Sequence, residues 1–234
     1  MVLAVQHISK KYNRQQVLNN ISFDAKKGEI IGFLGPNGAG KTTTMKIITG
    51  CLSPDNGSVF IENFDIAKDE LKAKSRIGYL PENNPLYEEM YVFEYLEHIA
   101  KLYSIKENIK ETVKSAIKAV GLNPEVYKQI SKLSKGYKQR VGIAQAIIHN
   151  PSLLILDEPM SGLDPNQTEE IKKLLTGLSK DKSILFSSHT LADVAAICTR
   201  IIIIHKGNIV TDKFIDEVEN LEEFFKILTN NSSV

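Results

Sequence analysis

The sequence contains no run of roughly 18 apolar residues, the length a membrane-spanning helix needs. Its densest apolar stretch, Ile201 to Ile204, is strand-sized, so the chain is not expected to cross a membrane by itself. Excess charge of one sign is also missing. Lys and Arg number 29 against 28 Asp and Glu, a formal net charge of +1, which gives no basis for expecting a nucleic-acid partner. Cysteine is scarce: Cys51 and Cys198 lie far apart with no metal-like spacing, and are expected to be buried thiols in a reducing compartment. The opening MVLAVQHISKKY holds an apolar run of about five residues, too short for the central part of a signal peptide. A cytoplasmic protein is expected, with any membrane role delegated to a partner. No internal repeat is evident, and low complexity is confined to the polar tail.

What is present is ordinary globular material. The 234 residues are 42% apolar and 24% charged, enough to bury a core in one domain or in two closely joined subdomains. Two β-type runs, VLAVQHI and NISFDA, flank the polar KKYNRQQ and lead into the apolar strand IIGFLG, which predicts an antiparallel edge feeding a buried strand. A Gly-rich turn then opens the helix TTMKIITG, ended by Gly50, and DNGSVFIENFDI carries an Asn-Gly turn signal between extended runs. Helical spacing takes over from about Asn84 to Asn150, through YVFEYLEHIAKLY, NIKETVKSAIKAVGL and YKQRVGIAQAIIH. After it come the strand LLILDE, a helix near NQTEEIKKLLTGL, the strand SILFSS, the helix LADVAAIC, and the pair RIIIIH and NIV joined by a Lys-Gly turn. DEVENLEEFFKIL predicts a last helix ahead of the tail.

Residues 35 to 42, GPNGAGKT, match G-x-x-x-x-G-K-[ST], and the chemistry of a phosphate cradle demands those residue types. Gly35, Gly38 and Gly40, with Pro36, Asn37 and Ala39 between them, let successive backbone N–H groups point at phosphate oxygens ahead of a helix N-terminus. Lys41 supplies a point charge for the β- and γ-phosphates, and the Thr42 hydroxyl, followed by Thr43, is placed to ligate Mg²⁺. Asp157 ends an apolar strand, where a carboxylate needs a partner such as Mg²⁺ with its water shell. Next to it, Glu158 is the candidate to polarise an attacking water. The fold class expected is α/β: a P-loop nucleotide-triphosphatase core with a parallel sheet (residues 1–83 and 150–212), an N-terminal antiparallel β subdomain, an inserted α-helical subdomain (84–149), and a C-terminal helix and tail (213–234).

Taken in order and spacing, GPNGAGKT, LSKGYKQR at 133 to 140, LLILDEP, SGLD and FSSHT resemble the nucleotide-binding subunit of an ABC transporter over essentially the whole chain. The resemblance implies that two such subunits, identical or homologous, face each other head to tail with each ATP shared between them. It implies that the Ser134 hydroxyl and the Gly136 backbone N–H reach the γ-phosphate across that interface. Asp164, in SGLDP, would help align the facing site, and His189 would contact the γ-phosphate and orient the water. Tyr12 would stack on adenine, with Val17 as an apolar flank. Glu82, in YLPEN, stands where the family carries Gln and would sense the γ-phosphate as a ligand of Mg²⁺ or of a metal-bound water. The usual LSGGQ reads LSKGY here, with Lys135 and Tyr137 as the departures and Lys135 expected to face water.

PLYEEMYVFEYLEHIAKLY carries an apolar stripe wider than one core contact requires. By resemblance it would meet an integral membrane permease near Tyr87, Tyr91 and Tyr95, so that the ATPase sits on the inner face of the cell membrane through that partner. YLPE and the ending LEEFFKIL resemble ATPases of the exporter branch, including gliding-motility and drug or lipid exporters. A GTPase should carry a base-reading N-K-x-D segment, which is absent. The other alternative is a soluble ABC-type ATPase acting on a non-membrane macromolecule.

Overall fold

The computed structural model describes residues 1–230; the tail at 231–234, expected to be polar, lies outside the described residues. Two sheets account for the strands. The smaller is antiparallel, in the order β2-β1-β4-β5, built from β1 (Leu3–Tyr12), β2 (Gln15–Ala25), β4 (Asn56–Ile61) and β5 (Phe64–Asp65). The larger runs β10-β9-β3-β8-β7-β6, with β3 (Ile30–Leu34), β6 (Ile77–Leu80), β7 (Leu153–Leu156), β8 (Ser183–Ser187) and β9 (Arg200–His205) parallel and β10 (Asn208–Phe214) antiparallel at one edge. This is the α/β architecture with an N-terminal antiparallel layer that the pattern predicts.

The continuous apolar runs of β3, β7 and β9 follow from burial on both faces of a parallel sheet. Ile202 and Ile204 of β9 face one core with Ile31, Phe33, Leu153 and Ile155, and this core is closed by the small sheet and by Met45, Ile47 and Ile48 of α1 (Lys41–Ile48). Ile201 and Ile203 face the other with Ile30, Leu34, Leu154 and Leu156. That second core is closed by α3 (Val92–Leu102), α4 (Ile109–Ala119), α5 (Lys135–Ile147), α6 (Pro165–Leu178), α7 (Leu191–Ile197) and α8 (Leu221–Asn230). Among the described residues no helix is long and apolar enough to cross a membrane.

Four expectations need correction. Tyr95 is 2% exposed and its hydroxyl bonds the Gln145 side chain, because α3 buries Val92, Leu96, Ile99 and Ala100 together with it. The wide stripe is therefore mostly subdomain core, and only Tyr87 and Tyr91, 60% and 49% exposed, stand at the surface. Asn56-Gly57 begins β4 and is not a turn between strands: Gly57, at φ 91°, lies against the carbonyls of Gln6 and His7, and the β4–β5 turn falls at Glu62-Asn63. Cys51 is exposed, whereas Cys198 is buried, its thiol pushed well above the ordinary range by desolvation. The last helix starts at Leu221, since residues Ile215–Glu217 form only a 3₁₀ turn. A short helix, α2 (Glu70–Lys74), has no counterpart in the sequence reading.

β6 and α5 meet where Gly78 leaves no room: a Cβ there would collide with the Ala146 carbonyl. Gly78→Ala should lower unfolding free energy by about 2 kcal/mol, the scale of an overpacked core, read from the midpoint of a urea transition. An unchanged midpoint would mean that α5 yields without loss.

Candidate functional site

The C-terminal ends of β3, β6 and β7 meet the start of α1 and the β1–β2 hairpin at one edge of the larger sheet, where open parallel sheets place ligands. A cleft of about 390 Å³ opens there, lined by Tyr12, Gln15, Val17, Asn37, Gly38, Gly40, Lys41, Thr42, Thr43, Glu82, Asp157 and Glu158. Residues more than 100 positions apart thus share one cavity. Gly35 and Ala39 are buried beneath it and Pro36 is exposed at its rim.

The loop between β3 and α1 takes its shape from two different needs for glycine. Gly38 and Gly40 have φ of 78° and 114°, in the left-handed region where a side chain would be strained. Gly35 has ordinary φ, but a Cβ would strike the Ile204 carbonyl of β9. Outside contacts hold the loop as well: the Gly207 amide donates to the Ala39 carbonyl at 3.0 Å, and the Asn19 amide donates to the Gly207 carbonyl at 2.8 Å. The Lys41 ammonium folds back to donate to the carbonyls of Gly35 (2.6 Å) and Pro36 (3.3 Å). Burial lowers its pKa from the ordinary 10.5, opposed in turn by the charges of Glu158, Asp157 and Glu82. An ammonium held only by carbonyls and faced by carboxylates can exchange those carbonyls for phosphate oxygens.

Asp157, directly after β7, is 2% exposed. Its Oδ1 accepts from the Ser187 hydroxyl at 2.6 Å, while Oδ2 is buried with no partner. Leaving a buried carboxylate oxygen unpaired costs about 1–3 kcal/mol, so the site is built for a group that supplies positive charge or a proton donor there. A hard divalent cation fits. Among the described residues no three acidic, histidine or cysteine side chains converge to hold a metal unaided. Thr42 lines the same cleft at half burial, and Glu82 is exposed at its mouth.

Glu158 has φ 51°, a left-handed conformation costing roughly 1–2 kcal/mol for a residue with a side chain. Its amide donates to the Ser187 hydroxyl at 2.9 Å, and its Oε2 lies 2.8 Å from His189 Nδ1. Ser187 therefore ties both acids to β8. Sequence reasoning missed it, although a hydroxyl at the end of an otherwise apolar buried strand was the available signal. Glu158 also borders a second hollow of about 370 Å³ shared with Ser161, Gly162 and His189.

Asp164 caps α6, its Oδ1 accepting from the Gln167 amide at 2.9 Å. Ser134 is exposed and caps α5, accepting from the Tyr137 amide at 3.4 Å. Gly136 is buried against the Gln167 side chain. Neither Ser134 nor Gly136 lines the cleft of its own chain. Lys135 is exposed, with its amine lying over Gly162. Tyr12, 46% exposed, ends β1 and pairs in register with Gln15, a cleft residue the sequence reading left out.

The family model for ABC transporters matches residues 18–161, more than half of the chain. The chain is 38% identical over 243 aligned positions to the uncharacterized ABC transporter ATP-binding protein YdbJ of Bacillus subtilis, covering 98% of this chain and 78% of that protein. It is 35% identical over 225 positions to the lantibiotic transport ATP-binding protein SrtF of Streptococcus pyogenes, covering 96% of each. A solved ATP-binding subunit of an ABC transporter superposes with a TM-score of 0.87 at 30% identity, covering 97% of this chain and 99% of that one.

The lowered Lys41 pKa has a sign that can be tested. The native state binds the Lys41 proton less tightly than the unfolded chain, so stability attributable to this group rises with pH through the lowered value and levels off above 10.5. Lys41→Met should accordingly raise the urea midpoint of the nucleotide-free protein at pH 8, by a margin that shrinks as pH approaches 10.5. A variant less stable than its parent at pH 8 would show that the bonds to Gly35 and Pro36 outweigh desolvation.

Proposed function

The chain belongs to the ABC transporter family as an ATP-binding, ATP-hydrolysing subunit, and from that premise we propose that it works as half of a head-to-tail pair. Two copies, or this chain and a homologous ATPase subunit, close on ATP, each triphosphate lying between the loop at 35–43 of one and Ser134 with Gly136 of the other. The observation that carries this reading is the division of groups within one chain. Lys41, Asp157 and Glu158 line a single cleft, whereas the exposed Ser134 heads α5 outside it. A hydroxyl and backbone amides at a helix N-terminus suit phosphate, and a facing protomer would bring its triphosphate to them.

Within the closed pair, backbone amides of the phosphate loop and Lys41 hold the β- and γ-phosphates, and Tyr12 with Val17 flanks the adenine. Bound Mg²⁺, held through Thr42 and Asp157 with Glu82 as a further oxygen ligand, would neutralise charge building on the transferred phosphoryl group. Glu158 takes the proton of the attacking water, and His189, 2.8 Å from Glu158, orients that carboxylate and reaches towards the γ-phosphate. Asp164 sits at the start of α6 on the interface side. Positioning and charge neutralisation account for the rate, as expected for phosphoryl transfer.

Closing and reopening would move a separate integral membrane permease, and the ATPase would lie on the inner face of the cell membrane through that contact. The exposed Tyr87 and Tyr91 offer the docking surface; the buried Tyr95 supports it from beneath, its ring edge on to Tyr87 with centroids 5.9 Å apart. Export is the direction favoured, on the YLPE segment and on similarity to a lantibiotic transport subunit.

Glu158→Gln tests the pair and the base together. Hydrolysis should fall by at least about 100-fold, the contribution of a positioned general base, while ATP converts the variant from monomer to dimer on gel filtration. A monomer that turns over normally would contradict both assignments.

A further inference from the structure

Glu82 and Ser134 belong to different parts of the nucleotide site, yet short polar links join their segments inside one chain. Two residues after Glu82, Asn84 adopts φ 37°, a conformation Asn tolerates better than most residues, and its amide donates to the Pro81 carbonyl at 3.0 Å. That tight turn aims the side chain at α5. Asn84 Nδ2 donates to the Lys138 carbonyl at 2.9 Å, and Oδ1 is seated against Gly142, where a Cβ would collide with it. Glycine one turn along α5 is thus matched to this amide. Lys138 Nζ reaches back to Glu88 at 2.6 Å, and the amides of Ile130 and Ser131 donate to the carbonyls of Met90 (3.0 Å) and Glu88 (2.9 Å). The chain from Glu82 to Met90 is laced to the segment from Ile130 to Lys138, with Asn84 as the link nearest the phosphates.

We propose that Asn84 is a positioning residue that passes the state of the Glu82 end of the cleft to Ser134 and Gly136 in the same chain. The inference rests on the reading of Ser134 as a nucleotide contact but adds the route by which occupancy of a protomer's own cleft sets the readiness of its outward-facing segment. A displacement at Glu82 must move Asn84, because Pro81 and the turn leave little slack between them. Asn84 is in turn tied to the first two turns of α5, where its carbonyl partner Lys138 and the Gly142 notch lie.

Amide hydrogen exchange over residues 130–140, measured with and without Mg²⁺ and a non-hydrolysable ATP analogue, separates this role from simple support. In the parent, nucleotide should slow exchange in this segment roughly fivefold, the scale of one hydrogen bond. In Asn84→Gly, which keeps the left-handed backbone, and in Asn84→Asp, which keeps the shape but loses the donor, the change should drop below about twofold at saturating analogue. A parent that binds the analogue with no change at 130–140 would overturn the proposal. So would variants whose response equals the parent's, or variants that exchange faster by the same factor with and without nucleotide, which is the mark of a purely structural bond. Sedimentation on the same samples keeps the two ideas apart: a parent that responds while remaining monomeric would remove the head-to-tail pair and leave the Asn84 link standing.

Discussion

The site turns on one hydroxyl that bridges neighbouring strands. The Ser187 hydroxyl of β8 donates to Asp157 and accepts from the Glu158 amide, so a single side chain fixes two acids that do different work. One is sunk in the sheet with an oxygen left over; the other is swung into a left-handed backbone and meets His189. Remove that hydroxyl and the buried acid loses its donor while the strained residue loses its anchor. Folding free energy is thus stored as an unmet demand for charge at Oδ2 and as backbone strain at Glu158, both at the edge of the cleft.

Burial on both faces explains why this arrangement can be held so tightly. β7 and β8 are fully buried over Leu153–Leu156 and Ser183–Ser187, one core closed by the small sheet and the other by helices. Their ends cannot drift without disturbing both cores, and close-packed interiors resist such drift. Helices α5 and α6 pack into the second of these cores through Val141, Ile143 and Ile147 and through Ile171 and Leu175, whereas their outward-facing sides meet through polar groups. Arg140 joins α5 to the Val120 carbonyl and to Glu170 of α6, each at 2.5 Å, and Gln167 rests on Gly136. These are polar, partly exposed contacts, which are weaker than core packing, so the outward-facing ends of the two helices are held less firmly than their buried middles.

Much of this was legible in the chain itself. GPNGAGKT and LLILDEP announce phosphate and metal chemistry because glycine conformations and buried acids are rare unless used. Unbroken apolar runs mark strands buried on both faces. Less legible was anything decided by what lies opposite. Tyr95 looks like a surface aromatic in a wide stripe, and only the packing of α3 on α5 shows it to be core. Asn56-Gly57 carries a turn signal that the approach of Gln6 and His7 converts to a strand start. Ser187 shows only as a hydroxyl closing a buried strand and Asn84 shows no local pattern; their roles depend on partners 30 and 54 positions away.

The Lys206-Gly207 turn fastens the phosphate loop from behind, bonding Ala39 on one side and Asn19 on the other. A cradle braced in this way by β2 and by the β9–β10 hairpin is already in its receptive shape before any ligand arrives. In the proposed cycle, nucleotide entry and departure would then demand little rearrangement of the cradle itself.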